Sequence, residues 1–131
     1  LNLLGQRDTD IYGKLTLSEI DDHIINYARQ HNVDVECMQY NSETDIINAL
    51  QGASNIEGII LNPAAFTHTS VAIRDTIDAI TLPVVEIHIS NIHNREDFRQ
   101  TSLTAGVCIG QIVGFGWRGY LLAVDYFIHQ H

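Results

Sequence analysis

The sequence predicts an α/β domain, a doubly wound parallel sheet with helices on both faces. Three observations predict it. Short apolar runs alternate with amphipathic stretches of roughly 10–15 residues, the rhythm of βαβ units. Ile56 to Leu61 is a nearly continuous apolar run, as expected for a strand covered on both faces. The helical stretches carry apolar residues three and four apart, so each buries one stripe only.

The elements follow in order. Thr16 to His31 has Leu17, Ile20, Ile24 and Tyr27/Ala28 in helical register, and Thr16-x-x-Glu19 fits a capping box. Val33 to Tyr40 alternates as a strand. Ser42 to Gln51 is a helix with Ile46, Ile47 and Leu50 on one side. After the Ile56–Leu61 strand, Val71 to Ile80 is helical with Ile73, Ile77 and Ile80 in register. A strand opens after Pro83, a short polar helix lies around Asn94 to Gln100, and Val107 to Val113 forms a further strand. A last helix runs from about Trp117 with Leu121, Val124 and Ile128 inward. The chain opens on loop-like Leu1-Asn-Leu-Leu-Gly5, so the central first strand of such a sheet is expected upstream of Leu1.

A chain of 131 residues suits one domain around one core. The net charge of −9 opposes nucleic-acid phosphates, so a nucleic-acid partner is not expected. Any small anion must be held by locally placed arginines. No apolar run approaches the ~18–20 residues of a membrane span, and no signal-peptide pattern is seen. Cys37 and Cys108 lie in separate apolar segments without Cys-x-x-Cys spacing, which predicts two free thiols and a reducing, cytoplasmic setting.

In open parallel sheets ligands bind beyond the carboxyl ends of the strands. The segment 83–99 places polar groups there. Val84, Val85, Ile87 and Ile89 read as a buried strand, yet period 2 puts Glu86, His88 and Ser90 on one face at its end. An acid, an imidazole and a hydroxyl on a buried strand each need a partner. Loop bonding alone would satisfy them, and so would a catalytic site. A second cluster, Asn62 to Ser70, follows the preceding strand. Thr69 or Ser70 is a natural N-cap for the next helix, whereas Asn62 and His68 face the strand-end crevice. A third, Gly5 to Gly13, reads either as a solvated loop or as a mobile lid bearing Arg7 and Tyr12. A phenol titrates near 10, and lowering that to about 7 takes roughly 4 kcal/mol, which a close guanidinium in a dry site could largely supply. The other histidines are expected to order loops or face solvent: His93 the former, His23, His31, His129 and His131 the latter. Packing is the expected role of Trp117 and Tyr120.

The chain resembles the type II 3-dehydroquinate dehydratases (type II dehydroquinases) over essentially its whole length. Four matches carry the resemblance: Asn2-Leu-Leu-Gly-Gln-Arg7 with Ile11-Tyr12-Gly13; Asn62-Pro-Ala-Ala-Phe-Thr-His68 through Arg74-Asp75; Glu86-Ile-His88-Ile-Ser90 through Arg99; and Gly114-Phe-Gly-Trp-Arg-Gly119-Tyr120. It implies a flavodoxin-like sheet, a single catalytic domain over residues 1–131, a lid over residues 5–13, and no cofactor or metal. The implied reaction removes water from 3-dehydroquinate through an enolate, giving 3-dehydroshikimate, in the shikimate pathway of aromatic amino-acid biosynthesis.

The resemblance further implies that Tyr12 is the base, that Arg7 stabilises its tyrosinate, that His88 protonates the departing hydroxyl and that Glu86 orients His88. Asn62, His68, Ile89, Ser90 and Arg99 match substrate-binding positions. Asp75 matches an aspartate reaching a neighbouring subunit, in trimers that assemble into a dodecamer. After Arg99 the chain reads Gln100-Thr101-Ser102, where many relatives carry a histidine beside the arginine. The competing readings are a catalytically silent relative that binds polyhydroxy-carboxylates, the same reaction in quinate catabolism, and an unrelated flavodoxin-like domain. The last carries little weight, since no Gly-rich phosphate loop follows the first visible strand of this chain. A Schiff-base route would need a desolvated lysine, and Lys14, the single lysine, sits in a polar loop.

Overall fold

The computed structural model describes residues 14–130. Helix α1 (Leu17–Gln30) begins at the predicted capping box: the Thr16 hydroxyl accepts from the Glu19 N–H at 3.2 Å, and Glu19 Oε1 accepts from the Thr16 N–H. Helices α2 (Glu43–Gly52) and α3 (Val71–Ala79) start on the hydroxyls of Ser42 and Ser70, which accept from the N–H groups of Asp45 and Ile73. Ser70 is therefore the cap that the sequence offered alongside Thr69. Helix α4 (Arg118–Ile128) closes the described fold.

Strands β1 (Ile59–Leu61), β2 (Val84–His88) and β3 (Gly110–Val113) pair in that order, all parallel. Leu61 lies opposite Glu86, which lies opposite Gln111. Side-chain alternation divides the core in two. On one face Ile60, Val85 and Ile87 meet α4 through Ala123, and Ile20, Ile24 and Ala28 of α1 pack with Val124. On the other, Ile59, Leu61 and Val84 meet Ile46 and Leu50 of α2 and Ile73 and Ile77 of α3. Helices thus cover both faces of a parallel sheet, as the pattern predicted. Gly58 lets α4 approach β1: a Cβ there would lie 2.1 Å from the Phe127 ring.

Four elements differ from expectation. Residues 33–40 keep the period of a strand, with Val33, Val35 and Cys37 packed on the α1–α4 cluster and Asp34, Glu36 and Met38 exposed. They are nonetheless not a strand, because no ladder pairs with them among the described residues; alternation places side chains, but a strand also needs a neighbour's backbone. The strand expected from Ile56 begins at Ile59, whose N–H donates to the Pro83 carbonyl at 2.9 Å. Pro83 has no N–H to extend the ladder. The polar helix expected over 94–100 is two short 3₁₀ turns, Ile92–Asn94 and Asp97–Arg99. The strand expected from Val107 starts at Gly110, because Ala105–Val107 forms a 3₁₀ turn beneath Glu86.

Candidate active site

Parallel register brings the polar groups to one edge. Leu61 pairs with Glu86, so Asn62 leaves the sheet beside the last turn of β2 backbone, and His88 pairs with Val113 just before Gly114. Glu86 and His88 share the α2–α3 face with Val84, on a strand whose five residues are all buried.

Glu86 is 0% exposed and His88 5%. Glu86 Oε2 stands 2.9 Å from His88 Nε2. The same carboxylate accepts from the Ser102 hydroxyl at 2.9 Å, from the Gln111 amide at 2.7 Å and, on Oε1, from the Thr104 hydroxyl. Burial alone would raise the Glu86 pKa; the hydrogen bonds from His88, Thr104 and Ser102 and the charge of His88 overcome it and hold the group below the usual glutamate range. Glu86 is therefore an acceptor at neutral pH. An ionised carboxylate accepts a hydrogen bond from Nε2–H, so Nδ1 is the imidazole nitrogen left for other work.

The loops beyond β2 and β3 enclose a cleft of about 300 Å³ lined by Ile89, Ser90, Asn91, Asn94, Arg95, Gly114 and Gly116. Two of its residues, Ile89 and Ser90, were expected at the site. The Gly114 N–H donates to the His88 carbonyl at 3.1 Å and the Gly116 N–H to that of Ile89 at 3.0 Å, pinning the two loops together. Gly114 has φ +91°, and a Cβ there would come within 3.2 Å of Asn91 Cβ, so both conformation and space require glycine. Arg95 Nη1 reaches to 3.5 Å from Ser90 Oγ. A guanidinium, a hydroxyl and backbone amides around a small cleft suit a hydroxylated carboxylate.

Three other expected residues, Asn62, His68 and Arg99, do not line this cleft. Asn62 Oδ1 accepts from the Ala64 N–H at 2.9 Å, while its Nδ2 donates to the Tyr120 phenol at 3.0 Å. Burial pushes the Tyr120 pKa up to about 12, against the opposing hydrogen bond from Asn62, so the phenol stays neutral. Tyr120 thus does more than the packing expected of it: it orients Asn62. His68 Nδ1 lies 2.7 Å from the Thr101 carbonyl. Since a carbonyl only accepts, Nδ1 carries a proton, which makes Nε2 the nitrogen of His68 turned to other partners. Arg99 Nε donates to Glu96 at 2.5 Å and its guanidinium lies over the Phe98 ring. Asp75 is exposed on α3. Tyr12, Arg7 and the whole segment read as a lid lie outside the described residues.

Local pattern assigns no role to Arg95, Ser102, Thr104 or Gln111. Arg95 could have been flagged by its place five residues past Ser90. The three donors to Glu86 lie 16 to 25 residues downstream, and no local pattern points to them.

Among the described residues no group of three or more His, Cys, Asp or Glu side chains could hold a metal ion, and none of their helices is long and apolar enough to cross a membrane. Cys37 and Cys108 are unpaired, with burial pushing their thiols up to about 11 and about 12.

Comparison with known proteins identifies the family. Residues 1–128 match the family described as dehydroquinase class II. A 3-dehydroquinate dehydratase of Bacillus mycoides (strain KBAB4) is 55% identical over 125 residues, covering 95% of this chain and 86% of the relative. A type II dehydroquinase crystal structure from Butyrivibrio crossotus DSM 2876 superposes with TM-score 0.95 at 43% identity, covering 97% of this chain and 90% of that one. The corresponding structure from Propionibacterium acnes gives TM-score 0.92 at 35% identity, covering 97% and 88%. With a buried acid–imidazole pair at the carboxyl edge of a parallel sheet and matches of this extent, the chain belongs to the class II dehydroquinase family.

Proposed function

We propose that this protein is a cofactor-free hydro-lyase that removes water from 3-dehydroquinate by anti elimination through an enolate, giving 3-dehydroshikimate in the shikimate pathway. The observation that carries the reading is the buried Glu86–His88 pair beside a cleft walled by Ser90 and Arg95. In this scheme Tyr12, made acidic by Arg7, takes the proton next to the substrate ketone and the enolate forms. His88, charged and steadied by Glu86, passes its Nδ1 proton to the departing hydroxyl. Each such proton-transfer group contributes typically 10²–10⁴-fold.

The substrate's carboxylate and hydroxyls are assigned to Ile89 and Ser90 main-chain groups, Arg99, Asn62 and His68. Nε2 of His68 is the ring nitrogen suited to meet a substrate hydroxyl. Residues 5–13 form the lid of a single catalytic domain. Lys14 is exposed and lacks the desolvated setting that Schiff-base lysines occupy, which favours the enolate route. Asp75, exposed on α3, reaches a neighbouring subunit in trimers that build a dodecamer, and the enzyme works in the cytoplasm.

Incubation with 3-dehydroquinate tests the reading, because the product is a conjugated enone that absorbs in the ultraviolet and the substrate is not. Turnover is expected, with a loss of at least ~10²-fold in Tyr12→Phe. Saturable binding without any rise in absorbance would instead identify a catalytically silent relative.

A further inference from the structure

We propose that Ser102, Thr104 and Gln111 are positioning residues that fix the Glu86 carboxylate, and through it the tautomer and aim of His88. The inference rests on the dehydratase reading above and extends it to residues that no comparison assigns.

The hydrogen bonds that reach Glu86 have directions set by their chemistry, since an ionised carboxylate only accepts. The Ser102 oxygen accepts two backbone N–H groups, from Ala105 at 2.9 Å and Thr104 at 3.2 Å. Both its lone pairs are thereby used, and its one proton goes to Glu86 Oε2. Gln111 faces Glu86 across the β2–β3 ladder, and only its NH₂ end can face a carboxylate productively. The Thr104 hydroxyl donates to Oε1. Glu86 is consequently ringed by donors, so a proton placed on it would meet no acceptor. With Glu86 confined to the acceptor role, His88 Nε2 must be the donor, and Nδ1 is left for substrate.

The turn that carries these hydroxyls is itself anchored. Arg74, from α3, donates to the Leu103 carbonyl at 3.1 Å, and the Leu103 N–H donates to the Thr67 carbonyl at 2.8 Å. The other ionisable groups acting on the cluster are His88 and the Cys108 thiol. Burial, with the Glu86 charge adding to it, keeps that thiol neutral. From β1 the opposing residue is Leu61, which is apolar. Among the described residues, therefore, no second acid is found competing with Glu86 for the imidazole.

The test uses ¹⁵N-imidazole NMR of the full chain, with kcat and KM measured beside it. In the unaltered protein the neutral His88 ring is expected to carry its proton on Nε2. Gln111→Leu changes an exposed residue and keeps the fold; Thr104→Val removes a buried hydroxyl at similar volume. Each is expected to reduce the share of neutral His88 rings protonated on Nε2, because a carboxylate released by one of its donors can turn away from that nitrogen. kcat should fall roughly 3–30-fold with KM changing far less. Thr104→Ser, which restores a hydroxyl, should restore the Nε2–H tautomer. An unchanged tautomer in both Gln111→Leu and Thr104→Val, whatever their melting temperatures, would overturn the inference. The NMR readout needs no turnover, so it decides the positioning role separately from the identity of the reaction.

Discussion

Replacing Glu86 by glutamine tests how the site and the fold depend on one buried charge. The carboxylate accepts from four donors: three converge on Oε2 and one on Oε1. An amide retains one acceptor oxygen. The least disruptive arrangement leaves that oxygen where Oε2 was and turns the Thr104 hydroxyl to accept from the new NH₂. Three bonds then persist without charge assistance, each weaker by about 0.5–1 kcal/mol. Relief from burying an ion offsets part of this loss, leaving a net destabilisation of roughly 1–3 kcal/mol at neutral pH.

The pH dependence gives the sharper test. The folded-state pKa of Glu86 is depressed, so its contribution is fully present above the unfolded value of about 4.3 and is lost as pH falls through the folded value. Thermal denaturation of both proteins should show a gap of roughly 3–10 °C near pH 7 that narrows steadily below about pH 4. A gap that persists undiminished in strong acid, or equal stability at neutral pH, would refute the role given to the charge.

Two further outcomes follow from packing and from the Asn62 contact. Ile87→Ala empties a fully buried position between β3 and α4 and should cost about 2–5 kcal/mol in denaturant unfolding. Tyr120→Phe leaves the Asn62 amide without the phenol it donates to at 3.0 Å; steady-state kinetics should show KM rising by several-fold, on the order of one lost hydrogen bond, with kcat affected less.

Much of this was written in local pattern. Thr16 and Glu19 marked the start of α1, and Ser70 that of α3, because caps are built from residues three apart. Period 2 put Glu86 and His88 side by side on β2, and the structure makes them a hydrogen-bonded pair. What local pattern could not supply was anything dependent on a distant partner. Residues 33–40 alternate faithfully yet lack a ladder among the described residues. Val107 was read into a strand, but the chain bends there so that Ser102 and Thr104 can reach Glu86. Tyr120 packs as its helical spacing implied, while its hydroxyl meets Asn62 from 58 positions away.

The most direct test of the account is kcat for dehydration of 3-dehydroquinate by His88→Ala, with binding measured alongside. Loss of the group that protonates the departing hydroxyl should lower kcat by at least ~10²-fold while the substrate still binds. Turnover near that of the unaltered chain would contradict it.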